Sequence, residues 1–173
     1  MILKNYITLK TYLCSSSATG TGARTLPDTV TDMTGTERTT LYMTNSVTTT
    51  MPNDIRLMRA NLLPVVGSGS TPATIDDYAL ENDITSSFAN MGNATTLTPG
   101  VVDGKACMIY SFIITGTNAT ANTLTISEVG LYKTAQYASE SNMNILHVRE
   151  VLNTPVTVAA GASFSIPMQW IEY

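Results

Sequence analysis

Among the side chains of this 173-residue chain that could do acid-base or metal chemistry, the densest group is Asp76, Asp77, Glu81 and Asp83. A hard cation wants several oxygen ligands, but the spacing here lacks the DxDxDG pattern of an EF-hand loop. The same residues read as a capped, solvated turn: Thr74 caps Ile75-Asp76-Asp77, with Asp77 at the third helical position. The following YALENDI then makes a short helix, its carboxylates helped by the N-terminal dipole. Glu128, in ISEVGLY, is read as an exposed or salt-bridged residue where a strand changes phase rather than as a functional carboxylate. His147 is the sole histidine, which excludes a poly-histidine metal centre and leaves little for general base catalysis. The nucleophile elbow GxSxG is absent. Gly67 and Gly69 supply conformations barred to residues with a Cβ. They form no phosphate loop, and Gly104-Lys105 is followed by Ala106 where a P-loop needs Ser or Thr. Cys14 and Cys107, without CxxC or His/Cys ligand spacing, read as two separate buried thiols. No catalytic, cofactor-binding or metal-binding residue is therefore expected, and the chain is read as no enzyme.

Positioning even a structural network needs a core, and the length is enough for one domain to build it. Charged residues make up 13% and apolar ones 43%, a balance that argues against disorder over the bulk of the chain. A net charge of -4 leaves no broad cationic field for a phosphate backbone, so nucleic-acid binding is disfavoured. No stretch approaches the length of a membrane helix. The start, MILKNYITLKTYLC, carries Lys4 and Lys10 where a signal peptide needs an unbroken apolar run. The expectation is a protein kept in the cytosol until it joins something else.

Period-two alternation dominates the second half, which predicts half-buried strands. Met108, Tyr110, Phe112 and Ile114 share one face, while Cys107, Ile109 and Ile113 give the other face apolar character. Both parities are also apolar over residues 145–152, so cover on two sides of a sheet is expected there, from an attached neighbour. Leu124 and Ile126 fall on the opposite parity to Val129 and Leu131, which requires a bulge near Glu128. Phe164, Ile166, Met168 and Trp170 alternate toward the C-terminus, with Pro167 at an edge or a bulge. Pro64 argues against a central strand through IRLMRANLLPVV. The aromatic set Tyr110, Phe112, Tyr132, Tyr137 and Trp170 reads as core or interface packing ahead of a glycan- or base-stacking platform.

Residues 15–50 are crowded with Thr, Ser and Gly, which suits either an extended arm bound to a neighbouring subunit or a hairpin. A short helix at the N-terminus fits the spacing of Ile2, Tyr6, Leu9 and Leu13, although alternation fits part of it too. Together these elements predict a mostly β, single-domain antiparallel β-sandwich, jelly-roll-like or otherwise, with residues 1–61 as an N-terminal segment and 62–173 as the core.

The order of Val66-Gly67-Ser68-Gly69, Asp77-Tyr78-Ala79-Leu80-Glu81, Ile126-Ser127-Glu128-Val129-Gly130-Leu131-Tyr132 and Thr154-Pro155-Val156-Thr157-Val158-Ala159-Ala160-Gly161 resembles a family of tailed-bacteriophage virion proteins. The resemblance covers residues 62–173. It implies a β-rich, non-enzymatic structural subunit of the virion: a capsid-associated or decoration protein, or else a tail, collar or baseplate subunit. The implied partners are other virion proteins and the chain itself, with no nucleic acid and no membrane, and the implied location is the virion, after the host cytoplasm. A glycan or host-receptor binding module is the alternative that the aromatic residues and the polar arm keep open.

Overall fold

A computed structural model describes residues 4, 22–43, 62–137 and 141–172, the side chains of 22–28, 40–43, 134–137, 141–143 and 172 excepted. The described elements are strands β1 (Gly22–Thr31), β2 (Glu37–Met43) and β3 (Leu62–Gly67), a 3-10 turn (Thr85–Ser87), and strands β4 (Phe88–Val102), β5 (Lys105–Asn118), β6 (Leu124–Tyr137), β7 (Ser141–Val158) and β8 (Ser163–Glu172). The larger sheet runs β1-β2-β6-β3 with β7 also paired to β6, and the smaller runs β4-β5-β8. All pairings are antiparallel. The two sheets pack face to face as a β-sandwich.

The alternating rows decide which faces meet. In β8, Phe164, Ile166, Met168 and Trp170 are buried while Ser163, Ser165, Pro167 and Gln169 are exposed. The register sets Tyr110 opposite Trp170, Phe112 opposite Met168 and Ile114 opposite Ile166, so two apolar rows form one inward surface. Tyr110 and Trp170 lie with ring centroids 5.4 Å apart, and Phe88 meets Phe164 edge-on at 5.2 Å. The larger sheet answers with Val66, Ile126, Val129, Leu131, Ile145 and Val148. Full burial of side chains of this size stabilises by about 1.5–3 kcal/mol each, which fixes the strand register because a one-residue slip would exchange the faces.

Turn chemistry closes the hairpins. Asp103 (φ 50°) and Gly104 (φ 73°) join β4 to β5 with both central residues in the left-handed region, as a type I′ turn requires. Asn118, buried at the end of β5, donates through its amide to the carbonyls of Asn122, Val158 and Ala159, and thereby ties the β5–β6 and β7–β8 turns together. The register of β6 on β7 shifts between Ile126 and Glu128, where the change of parity demands a bulge. A second shift leaves His147 as the extra residue, since Leu131 faces Val148 and Tyr132 faces Leu146. Among the described residues β3 and β8 are edge strands, the setting in which Pro64 and Pro167 can do without a ladder donor.

Within the Thr-rich stretch the hairpin reading holds for residues 22–43. Strands β1 and β2 pair with each other, β2 meets β6 at Tyr42 and Gln136, and Val30 enters the sandwich core. Asp32 organises the hairpin turn by accepting from the amides of Thr34 and Thr36 and from the Arg38 guanidinium. Residues 15–21 and 44–50, and the N-terminal helix expected around Ile2 to Leu13, lie outside the described residues except for Lys4, whose amide donates to the carbonyl of Ile75.

The helix expected after Thr74 does not form. One turn closes, Asp77 N–H to Thr74 carbonyl at 3.3 Å, and the chain then runs irregularly to the 3-10 turn. Asp77 is drawn instead to Arg149 on the sheet, and Leu80 is buried against Val65, Tyr132 and Leu146. These four residues make a second, smaller core on the outer face of the larger sheet, beneath the loop 68–84. The two-sided apolar character of residues 145–149 is thus covered by the chain's own loop.

Candidate functional site

The richest arrangement of ionisable groups lies between that loop and the sheet. The bulge at the start of β6 turns Glu128 to the outer face, opposite Val151, and the next outward residue pair is Gly130 with Arg149. Glu128 and Arg149 therefore lie side by side beneath the loop. Glu128 is completely buried, and both its oxygens are used: Oε1 accepts from the amides of Gly69 (3.1 Å) and Asn82 (2.9 Å), while Oε2 accepts from the Glu81 amide (3.2 Å) and Arg149 Nε (2.8 Å).

Arg149 carries the network into the loop. Its Nη1 donates to Asp77 Oδ2 at 2.7 Å, and Nη2 donates to the Thr71 carbonyl at 3.1 Å, with Glu81 Oε2 at 3.8 Å. Thr74 donates its amide and hydroxyl to the Asp77 carboxylate. Glu81 in turn accepts from the amides of Ser70 and Thr71 and from the Thr71 hydroxyl. Two glycines make the close approach possible. A Cβ on Gly69 would lie 2.5 Å from both Glu128 Oε1 and Glu81 Cβ, and one on Gly67 would collide with Glu128 Oε1.

The electrostatics follow from these contacts. Burial pushes the Asp77 carboxyl upward, but the hydrogen bonds from Thr74 and the Arg149 guanidinium outweigh it and hold it below the usual carboxylate range. Hydrogen bonds from the Thr71 amide and hydroxyl do the same for Glu81. For Arg149, burial disfavours the charge, and the Asp77 and Glu128 carboxylates more than restore it. Asp77, Glu81 and Arg149 are thus held in their charged forms by their partners and by loop amides. What the arrangement does chemically is bind a loop to a sheet.

The sequence-predicted residues divide accordingly. Asp77, Glu81 and Glu128 come together around Arg149, and Glu128 is salt-bridged, one of the two states expected of it. Asp76 makes no part of this network, and Asp83 accepts from the Thr85 amide next to the 3-10 turn. Among the described residues no group of three or more His, Cys, Asp and Glu side chains is placed to hold a metal ion. Arg149 was missed, because apolar residues on both parities around it hide which way a charge in HVRE points.

His147 is wholly buried at its bulge. Burial, and then the charge of Lys133, lower its imidazole to about 3, so it is neutral near pH 7. Tyr110, Phe112, Tyr132 and Trp170 are all buried, which removes them from any exposed stacking platform; the side chain of Tyr137 lies outside the described residues. Cys107 is buried and free, and Cys14 lies outside the described residues. No described helix is long and apolar enough to cross a membrane. Compared with known proteins, the chain matches no family model, no curated protein and no solved structure.

Proposed function

We propose that the chain is a non-enzymatic structural subunit of a tailed-phage virion, of the capsid-associated or decoration kind, whose partners are other virion proteins and further copies of itself. The observation that carries this reading is the outer face of the smaller sheet. Read across the register, its central rows are Ala94-Ile113-Pro167, Thr96-Ser111-Gln169 and Thr98-Ile109-Ile171, followed on one side by Thr115-Ser165 and Thr117-Ser163, while on the other side the face ends beside the β4–β5 turn at Val102-Lys105, where the lysine is charged. Ile113 is 43% exposed, and no other residue in these rows is charged. A protein with a net charge of -4 that must sit beside copies of itself meets no like-charge repulsion over the uncharged rows of such a face. The ionisable groups beneath the loop 68–84 fit the same reading, since their hydrogen bonds are spent on holding the fold.

The order of family-like motifs over residues 62–173 supplies the virion context. Mass spectrometry and reconstruction of purified source particles test it together. The expected result is a stoichiometric band and density for this fold on the particle surface; absence of the chain from purified virions overturns the assignment.

A further inference from the structure

Where β7 and β8 run along the open side of the sandwich, a cleft of about 280 Å³ enters between the sheets. Phe112, Val148, Met168 and Trp170 form its walls, and Glu150 and Gln169 stand among its lining with their side chains exposed. Glu150 reaches this position by register: it pairs with Val129 as Val148 pairs with Leu131, so it occupies the inward row of β7. It is the single charged residue of the lining, and it forms no hydrogen bond or ion pair among the described residues. An apolar cleft with one carboxylate at its mouth selects a group with a hydrocarbon stem and a cationic end. A lysine side chain is such a group, burying its methylenes while its ammonium stays at the rim.

We propose that this cleft is a binding site for a lysine side chain of a neighbouring protein subunit, its stem against Met168 and Trp170 and its ammonium at Glu150. The identity of the partner as a virion subunit rests on the reading above; the chemistry of the cleft does not. Trp170 is the only tryptophan of the chain, so its fluorescence reports on the site directly.

The purified full chain is titrated with n-hexylammonium, 1-hexanol and hexanoate at constant ionic strength. The expected result is a saturable change that favours the ammonium over the alcohol by about threefold to fivefold, the upper part of what a solvent-exposed ion pair supplies. That preference disappears in Glu150→Gln, whose exposed position leaves folding intact. In particles, the Glu150→Lys chain loses incorporation in competition with the wild type. No saturable change, or equal response to all three probes, overturns the site and leaves Glu150 as an inward charge that blocks strand addition at an edge. A charge-selective titration with undiminished incorporation of Glu150→Lys overturns the subunit partner. Absence of even the wild-type chain from particles overturns the virion reading, a result distinct from a failed titration.

Discussion

The two sheets carry similar two-sided strands and finish their outer faces in opposite ways. On the larger sheet, Tyr132 and Leu146 are buried under the loop 68–84, and the buried pair Glu128 and Arg149 fastens that loop down. On the smaller sheet, Ile109 and Ile113 stay at least partly exposed among threonines and serines, and no described segment covers them. Apolar residues on both parities of a strand therefore state only that a second cover is favourable. Whether the cover comes from the same chain depends on a loop long enough to return and on polar groups able to hold it.

The largest effect is expected at the clasp. Arg149→Ala leaves Glu128 buried without its cationic partner and should destabilise by about 3–5 kcal/mol in chemical denaturation. A loss below about 1 kcal/mol would mean that the loop amides alone satisfy Glu128.

Acid should act on the same side of the sandwich. His147 has a folded value of about 3 against 6.5 when unfolded, so between those pH values the unfolded chain binds the additional proton. Stability contributed by the neutral imidazole is fully present above about pH 6.5 and declines as pH falls toward 3. Asp77 and Glu81, both held below their ordinary values of 3.8 and 4.5, contribute stability that is fully present above those values and is lost as pH falls through their folded values. Because the chain has one histidine, His147→Leu should flatten the stability profile between pH 6.5 and 4.5 and leave the more acidic decline in place. Denaturation curves across this range separate the two contributions.

A smaller loss is expected from Gly69→Ala, where the new methyl forces Glu128 and Glu81 to shift; overpacking of this kind costs about 1–3 kcal/mol. Smallest of all is Ile113→Thr on the open face, expected to change the stability of the isolated chain by no more than about 0.5 kcal/mol. Should Ile113→Thr prove as damaging as Gly69→Ala, the contrast between a fastened and an open face would fail.

What the sequence made legible follows the range of the interactions involved. The row Phe164, Ile166, Met168 and Trp170 was readable because burial in a strand repeats every second residue, and the bulge near Glu128 because Ile126 and Val129 cannot share a face without one. The Thr74–Asp77 contact was readable as a local cap. The helix expected beyond it was wrong, because Asp77 finds Arg149 72 positions away and Leu80 finds a second core, and both tertiary contacts outweigh a modest local preference. The clasp as a whole was only half visible. Its acids stood out as a cluster, while its single base sat in a segment whose facing could not be assigned.

The strand β6 has β7 along one side and both β3 and β2 along the other. Three hairpins, β1–β2, β4–β5 and β6–β7, join neighbours in sequence and can zip from their own turns, whereas β3 must wait for a strand more than fifty residues downstream and β5 for β8 at a similar distance. Loop-closure entropy is spent before those distant ladders return any stabilisation, so refolding should fall in the slow, millisecond-to-second class of all-β domains. The clasp connects β6 and β7 to the loop that follows β3 through hydrogen bonds spanning 46 to 78 residues, so it carries the same loop-closure cost as the docking of β3. Its amides should then be among the last to gain protection when the chain is refolded in deuterated water.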